Sequence, residues 1–144
     1  MLGINKSNEN WYSWKTIVVY LCLSLTAFAV DKIYALFGHG VHSAAMTWMF
    51  LYPLIGGALV YFLMGRLIPG FSKKEGYRLF YNLYNSGIAI LTVAAFLKGI
   101  LDIAGTSSPY IIFFNVIGCG VLAVSPLMPI ISKFIRGSTI ITLK

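Results

Sequence analysis

Charge is what this sequence has least of: only 10% of its 144 residues are Asp, Glu, Lys or Arg, and the acidic residues number four. An ordinary soluble domain carries roughly 25%, and one of this length could not hide a 58% apolar and aromatic content inside a single core. A soluble enzyme and a disordered chain are therefore excluded. Cysteine is equally scarce. Cys22 and Cys119 stand far apart inside long apolar runs, which excludes a disulfide scaffold and a Cys-x-x-Cys redox pair and predicts two buried small hydrophobes. Two histidines, His39 and His42, without an accompanying thiolate or carboxylate set fall short of a zinc site. No P-loop, Ser-His-Asp set, paired acids or H-E-x-x-H appears, so no catalytic activity is expected and no cofactor is assigned.

What the sequence does have is long apolar runs. A helix needs on the order of 20 largely apolar residues to cross the hydrocarbon layer, and four stretches qualify: 14–37, 46–68, 77–104 and 109–132. The expectation is an all-α, polytopic membrane protein, a single four-helix transmembrane domain. Lys15, the run from Ile17 and Ala27-Phe28-Ala29 outline a signal peptide, but the run continues to Phe37, so the segment reads as a retained span.

The breaks between runs have local causes. Gly38, His39 and Gly40 end the first, and Ser43 is placed to cap the second helix. Pro69-Gly70 ends the second, and Ser72-Lys73-Lys74-Glu75 reads as a capping box opening the third. Ser108 is expected to cap the fourth, with Pro109 at its first position. Pro53, Pro126 and Pro129 predict kinks in the second and fourth helices. Gly56-Gly57-Ala58, Ala95/Gly99 and Gly118-Cys119-Gly120 supply small residues for close helix contacts. An offset of 64 pairs Ser43 with Ser107, Gly56 with Gly120 and Met64 with Met128, among other matches, which admits a weak duplication of a two-helix unit.

Lys and Arg set orientation. Nine of the eleven fall before the first span or in its first turn, between the second and third or in their facing end turns, or after the fourth; Lys32 and Lys98 remain. Both termini and the central loop are therefore expected in the cytoplasm of a cell-membrane protein, and the net charge of +7 reads as a topology signal, not a nucleic-acid surface. Trp14, Tyr77 and Tyr81 fit one interface, Tyr34, Trp48 and Tyr110 the other.

Polar residues inside apolar runs are costly and mark function or helix contacts. Arg78, Asn82, Asn85, Ser86 and Thr92 recur at helical spacing and read as one stripe on the third helix, either a ligand-binding face or glue between helices. Toward the other end stand Asp31 with Lys32, Lys98 with Asp102, and Asn115. Lys98 and Asp102, four apart, predict an intrahelical ion pair; Asp31 predicts a local pair with Lys32 or Lys98, or a proton or ion site. The candidate binding residues are Asn82, Asn85, Arg78, Asp31 and Asn115, with His39 and His42 as weak metal or haem candidates. Small multidrug exporters need a Glu in the first helix and quinone-reducing thiol oxidoreductases a Cys-x-x-Cys. This chain has neither, and it shares only outline with small fluoride channels, so no family is assigned.

The functional expectation is a transporter or channel for a small solute, ion or lipid. A non-catalytic accessory subunit of a membrane complex is the alternative, and a membrane redox protein the third. The partners implied are the bilayer and either further copies of the chain or another membrane subunit.

Overall fold

A computed structural model describes residues 6–37, 41–68 and 76–133, with side chains from Trp14 onward, and the described residues are helical with no strand among them. Helix α1 runs Lys6–Phe37. The short α2, Ala44–Thr47, leads through a tight turn into a π-helical segment, Tyr52–Leu59, and then α3, Val60–Leu67. Helix α4 is Tyr77–Ile103 and α5 is Ile111–Val124, continued by a 3-10 turn at Ser125–Leu127 and a last helical stretch to Lys133. Four helical spans are long and apolar enough to cross a membrane: Trp14–Phe37, Ala44–Leu67, Tyr77–Ile103 and Ile111–Lys133. Among the described residues the chain is thus all-helical, with four membrane-span-like helices. Trp14, Leu67, Tyr77 and Lys133 bound the spans at what we term the terminal end, and Phe37, Ala44, Ile103 and Ile111 at the hairpin end.

The spans pack in a row. The second lies between α1 and α4, and α5 packs chiefly on α4. Tyr20, Ser24, Ala27 and Asp31, each three or four residues apart, form the buried seam of α1 among its described side chains. Helix α4 has two neighbours and buries more: Ile88, Ala95 and Gly99 toward the second span, Gly87 and Leu91 toward α5. Small residues set these distances. A Cβ on Gly99 would lie 2.6 Å from the Met46 Cβ, and one on Gly87 or Gly118 would strike Leu122 or Leu91. Gly120, paired with Gly56 in the repeat, meets nothing within 4 Å, whereas Gly56 abuts Ile88. Leu25, Phe28, Ile112, Phe113 and Ile117 are uncovered, as lipid-facing side chains are.

Proline explains the irregular second span. Pro53 has no N–H, and just before it Met49, Leu51 and Tyr52 donate to the carbonyls three residues back instead of four. The tightened turn is followed by the wide π-helical stretch through Gly56 and Gly57, and a 3-10 turn marks Pro126 in the same way.

Several sequence expectations need correction. The Ser43 hydroxyl makes no capping bond, because it donates to Asp102. Helix α5 starts at Ile111 after Tyr110, so Pro109 lies in the preceding turn, where the Tyr110 N–H donates to Ser108 Oγ at 3.4 Å. Both cysteines are exposed, since each lies on a face that no other span covers. Helix α4 begins after Gly76, whose φ of 80° is left-handed and breaks the helical path; the Ser72–Glu75 box lies outside the described residues.

Candidate functional site

At the terminal end, five tyrosines from three spans meet: Tyr20 of α1, Tyr61 of α3, and Tyr77, Tyr81 and Tyr84 of α4. Tyr20 stacks on Tyr61 with ring centroids 5.8 Å apart, and Tyr61 touches Tyr81 and Tyr84 at 5.6 and 5.8 Å. Such pairs contribute about 0.5–1.5 kcal/mol each beyond the area they bury. Their hydroxyls are directed. Tyr20 and Tyr61 both donate to Asn85 Oδ1, at 2.6 and 2.7 Å, and Tyr84 donates to the Gly56 carbonyl of the π-helical segment at 2.6 Å. The Tyr20 ring can sit there because Gly57 has no side chain; a Cβ at that position would overlap the ring.

Two phenols pointing at Asn85 fix its amide. An acceptor must face them, so the oxygen is committed and the nitrogen, with its two protons, turns away. That nitrogen makes no hydrogen bond among the described residues. Asn85 lines a cleft of about 640 Å³ between α1 and α4, with Pro53 in its wall. Val19, Leu23, Ile88 and Val93 give it an apolar lining, while Thr16, Tyr81, Asn85 and Thr92 supply polar groups. Thr16 and Tyr81 hydroxyls lie 3.4 Å apart across it, and Thr92 is tied to the Ile88 carbonyl at 2.8 Å.

The single polar stripe expected on the third helix is therefore two. Asn85 and Thr92 face the cleft, whereas Arg78, Asn82 and Ser86 are turned to a face that no other span covers. The physical reason is angular: each step of four residues turns about 40° beyond a full helical turn, so Arg78, Asn82 and Ser86 drift round the helix in one direction, whereas Asn85 and Thr92, seven residues apart, lie on the other side of the stripe.

At the hairpin end a second polar group joins α1, α2 and α4. Asp31 is buried; it pairs with Lys32 at 3.2 Å and accepts from Thr47 Oγ1 at 3.2 Å. The Lys32 ammonium also lies 5.0 Å from the centre of the Phe28 ring. Ser43 Oγ donates to Asp102 Oδ2 at 2.6 Å. The expected Lys98–Asp102 ion pair is absent among the described residues, because the Asp102 carboxylate is turned to Ser43 on the second span. Lys98, Asp102 and Asn115 instead line two adjoining cavities, one between the second span, α4 and α5, the other between α4, α5 and the turn that joins them. His42 is exposed and His39 lies outside the described residues, which contain no group of three or more potential metal ligands.

Between the two polar ends lies an apolar layer, Ala27, Met49, Leu91, Ala94 and Ala95, all buried. Sequence reasoning singles out Asn85 but misses Tyr20 and Tyr61 as its partners. The signal is an Asn in one span and tyrosines in two others, which becomes readable only once the register between spans is known. Searches against family models, curated proteins and solved structures find no match to this chain.

Proposed function

We propose that the chain is a multi-pass protein of the cytoplasmic membrane, both termini inside, that binds and carries a small apolar solute bearing a hydrogen-bond acceptor, without catalysing its conversion. Orientation rests on the distribution of Lys and Arg. The solute reading rests on one observation: the Asn85 amide nitrogen, left over after two tyrosines claim its oxygen, borders an apolar cleft of ligand size. A carbonyl or ether oxygen would satisfy it, while Val19, Leu23 and Val93 take the apolar body. The packed layer at Ala27, Met49 and Ala95 favours carriage over an open ion pore within one copy. A thermal-shift screen of the detergent-solubilised chain against small ketones, quinones and amphiphiles tests this. Stabilisation that disappears in Ala89→Trp, which fills the cleft from an exposed position, supports it; ligands that stabilise both proteins equally count against it.

The accessory-subunit reading has its own support. Arg78, Asn82 and Ser86 are uncovered along α4, and polar side chains at membrane depth favour a partner helix over lipid. A stoichiometric second protein that co-purifies from native membranes and is lost in Asn82→Leu would favour that reading.

A further inference from the structure

Two cavities share Lys98, Asp102 and Asn115: one of about 500 Å³ against the second span, and one of about 450 Å³ between α4, the turn at Ser107, Ser108 and Pro109, and α5. The first is also walled by Trp48 and Tyr52. Those two rings continue into a third, largely apolar groove of about 390 Å³, which runs past Ile55, Gly56 and Leu91 to Leu122. The sequence of chambers, polar at the hairpin end and apolar toward the middle of the spans, follows the direction of a lipid in a bilayer.

Its polar end carries both signs of charge. Lys98 and Asp102 are one turn apart on α4, about 5–6 Å between Cβ atoms. They are not paired with each other: Asp102 receives Ser43 through one oxygen, and Lys98 makes no ion pair or hydrogen bond among the described residues. Lys98 lies five residues, and Asn115 four, inside the helix ends Ile103 and Ile111, so about 6–8 Å of helix separates them from those ends. That is the depth of a lipid headgroup and its glycerol ester.

We propose that this groove holds one zwitterionic glycerophospholipid. The Lys98 ammonium meets the phosphate, the second oxygen of Asp102 and the faces of Trp48 and Tyr52 meet the headgroup ammonium, Asn115 donates to an ester carbonyl, and one acyl chain lies along Ile55, Gly56 and Leu91. An anionic lipid fits less well because Asp102 repels it, and a free zwitterion leaves the apolar groove empty.

The test uses the full chain in nanodiscs of equal phosphatidylethanolamine and phosphatidylglycerol, released into native mass spectrometry. Wild type is expected to retain one phosphatidylethanolamine, enriched about tenfold over phosphatidylglycerol, with enrichment lost in Lys98→Gln and kept in Lys98→Arg. Trp11→Phe/Trp14→Phe leaves Trp48 as the sole indole, so brominated acyl chains should quench its fluorescence more in phosphatidylethanolamine than in phosphatidylglycerol. Equal retention of both lipids overturns the proposal. So does displacement of the lipid by soluble phosphoethanolamine, which would mean that the headgroup binds without a chain, or a second copy of the protein in place of the lipid. Ala89→Trp, on the other side of the second span, should leave this retention unchanged, so that failure of the cleft and failure of the groove are separately visible.

Discussion

Replacing Asn85 by Leu removes the acceptor on which the Tyr20 and Tyr61 hydroxyls converge at 2.6 and 2.7 Å. Side-chain hydrogen bonds between membrane helices contribute about 0.6 kcal/mol on average and up to about 1.7. Two of them, short and part-buried, place the loss near the upper half of the summed range, about 2–3 kcal/mol. The loss is a coupling, and a mutant cycle isolates it. Tyr20→Phe/Tyr61→Phe removes the same two bonds from the other side while keeping the rings and their 5.8 Å stack. In that background Asn85→Leu should cost less than about 1 kcal/mol, because no stranded hydroxyl remains. Unfolding in mixed micelles of mild detergent and dodecyl sulfate, followed by far-UV circular dichroism, gives the four stabilities. If Asn85→Leu costs the same in both backgrounds, the tyrosines are not what holds Asn85, and the directed amide on which the cleft reading rests is lost.

Glycine substitutions should separate by contact: Gly57→Ala and Gly99→Ala, facing Tyr20 and Met46, each destabilise by about 1–3 kcal/mol in the same assay. Gly120→Ala, with open space around it, should be neutral or stabilise by up to about 1 kcal/mol; an equal loss at all three would refute this packing of the spans. Asp31→Leu strands Lys32 and leaves Thr47 only the Ser43 carbonyl as acceptor, and should destabilise more than Asp31→Asn, which keeps an acceptor between the spans; the reverse order in dodecyl sulfate unfolding would contradict the pairing. For orientation, a membrane-impermeant maleimide applied to intact cells should label Thr106→Cys and spare Lys133→Cys, with Cys22 and Cys119 replaced by Ala; the opposite pattern would invert the topology.

The four spans are legible in the sequence because the need for about 20 apolar residues is a one-dimensional constraint that leaves its mark in the run lengths. Proline irregularities at Pro53 and Pro126 are legible for the same reason: a missing N–H acts locally. Relations between spans leave no such mark. Lys98 and Asp102 satisfy the spacing for an ion pair, yet Asp102 binds Ser43, 59 residues away. Ser43 in turn has the local setting of a cap for its own helix and serves another. Cys22 and Cys119 resemble buried residues in composition, but in a row of helices every span keeps a wide face to lipid, and apolar residues populate that face as readily as the core. Asn85 differs from Asn82 only in angle around α4, and only the placement of α1 and α3 decides which of them meets tyrosines.

Whether the cleft beside Asn85 carries a solute is decided by native mass spectrometry of the chain extracted from its own membrane in mild detergent, wild type beside Ala89→Trp. Wild type should retain one small molecule, below lipid mass and bearing a carbonyl or ether oxygen, and the filled cleft should release it while the protein stays folded. The same adducts on both proteins, or a stoichiometric protein partner with no small molecule, would contradict solute binding at Asn85.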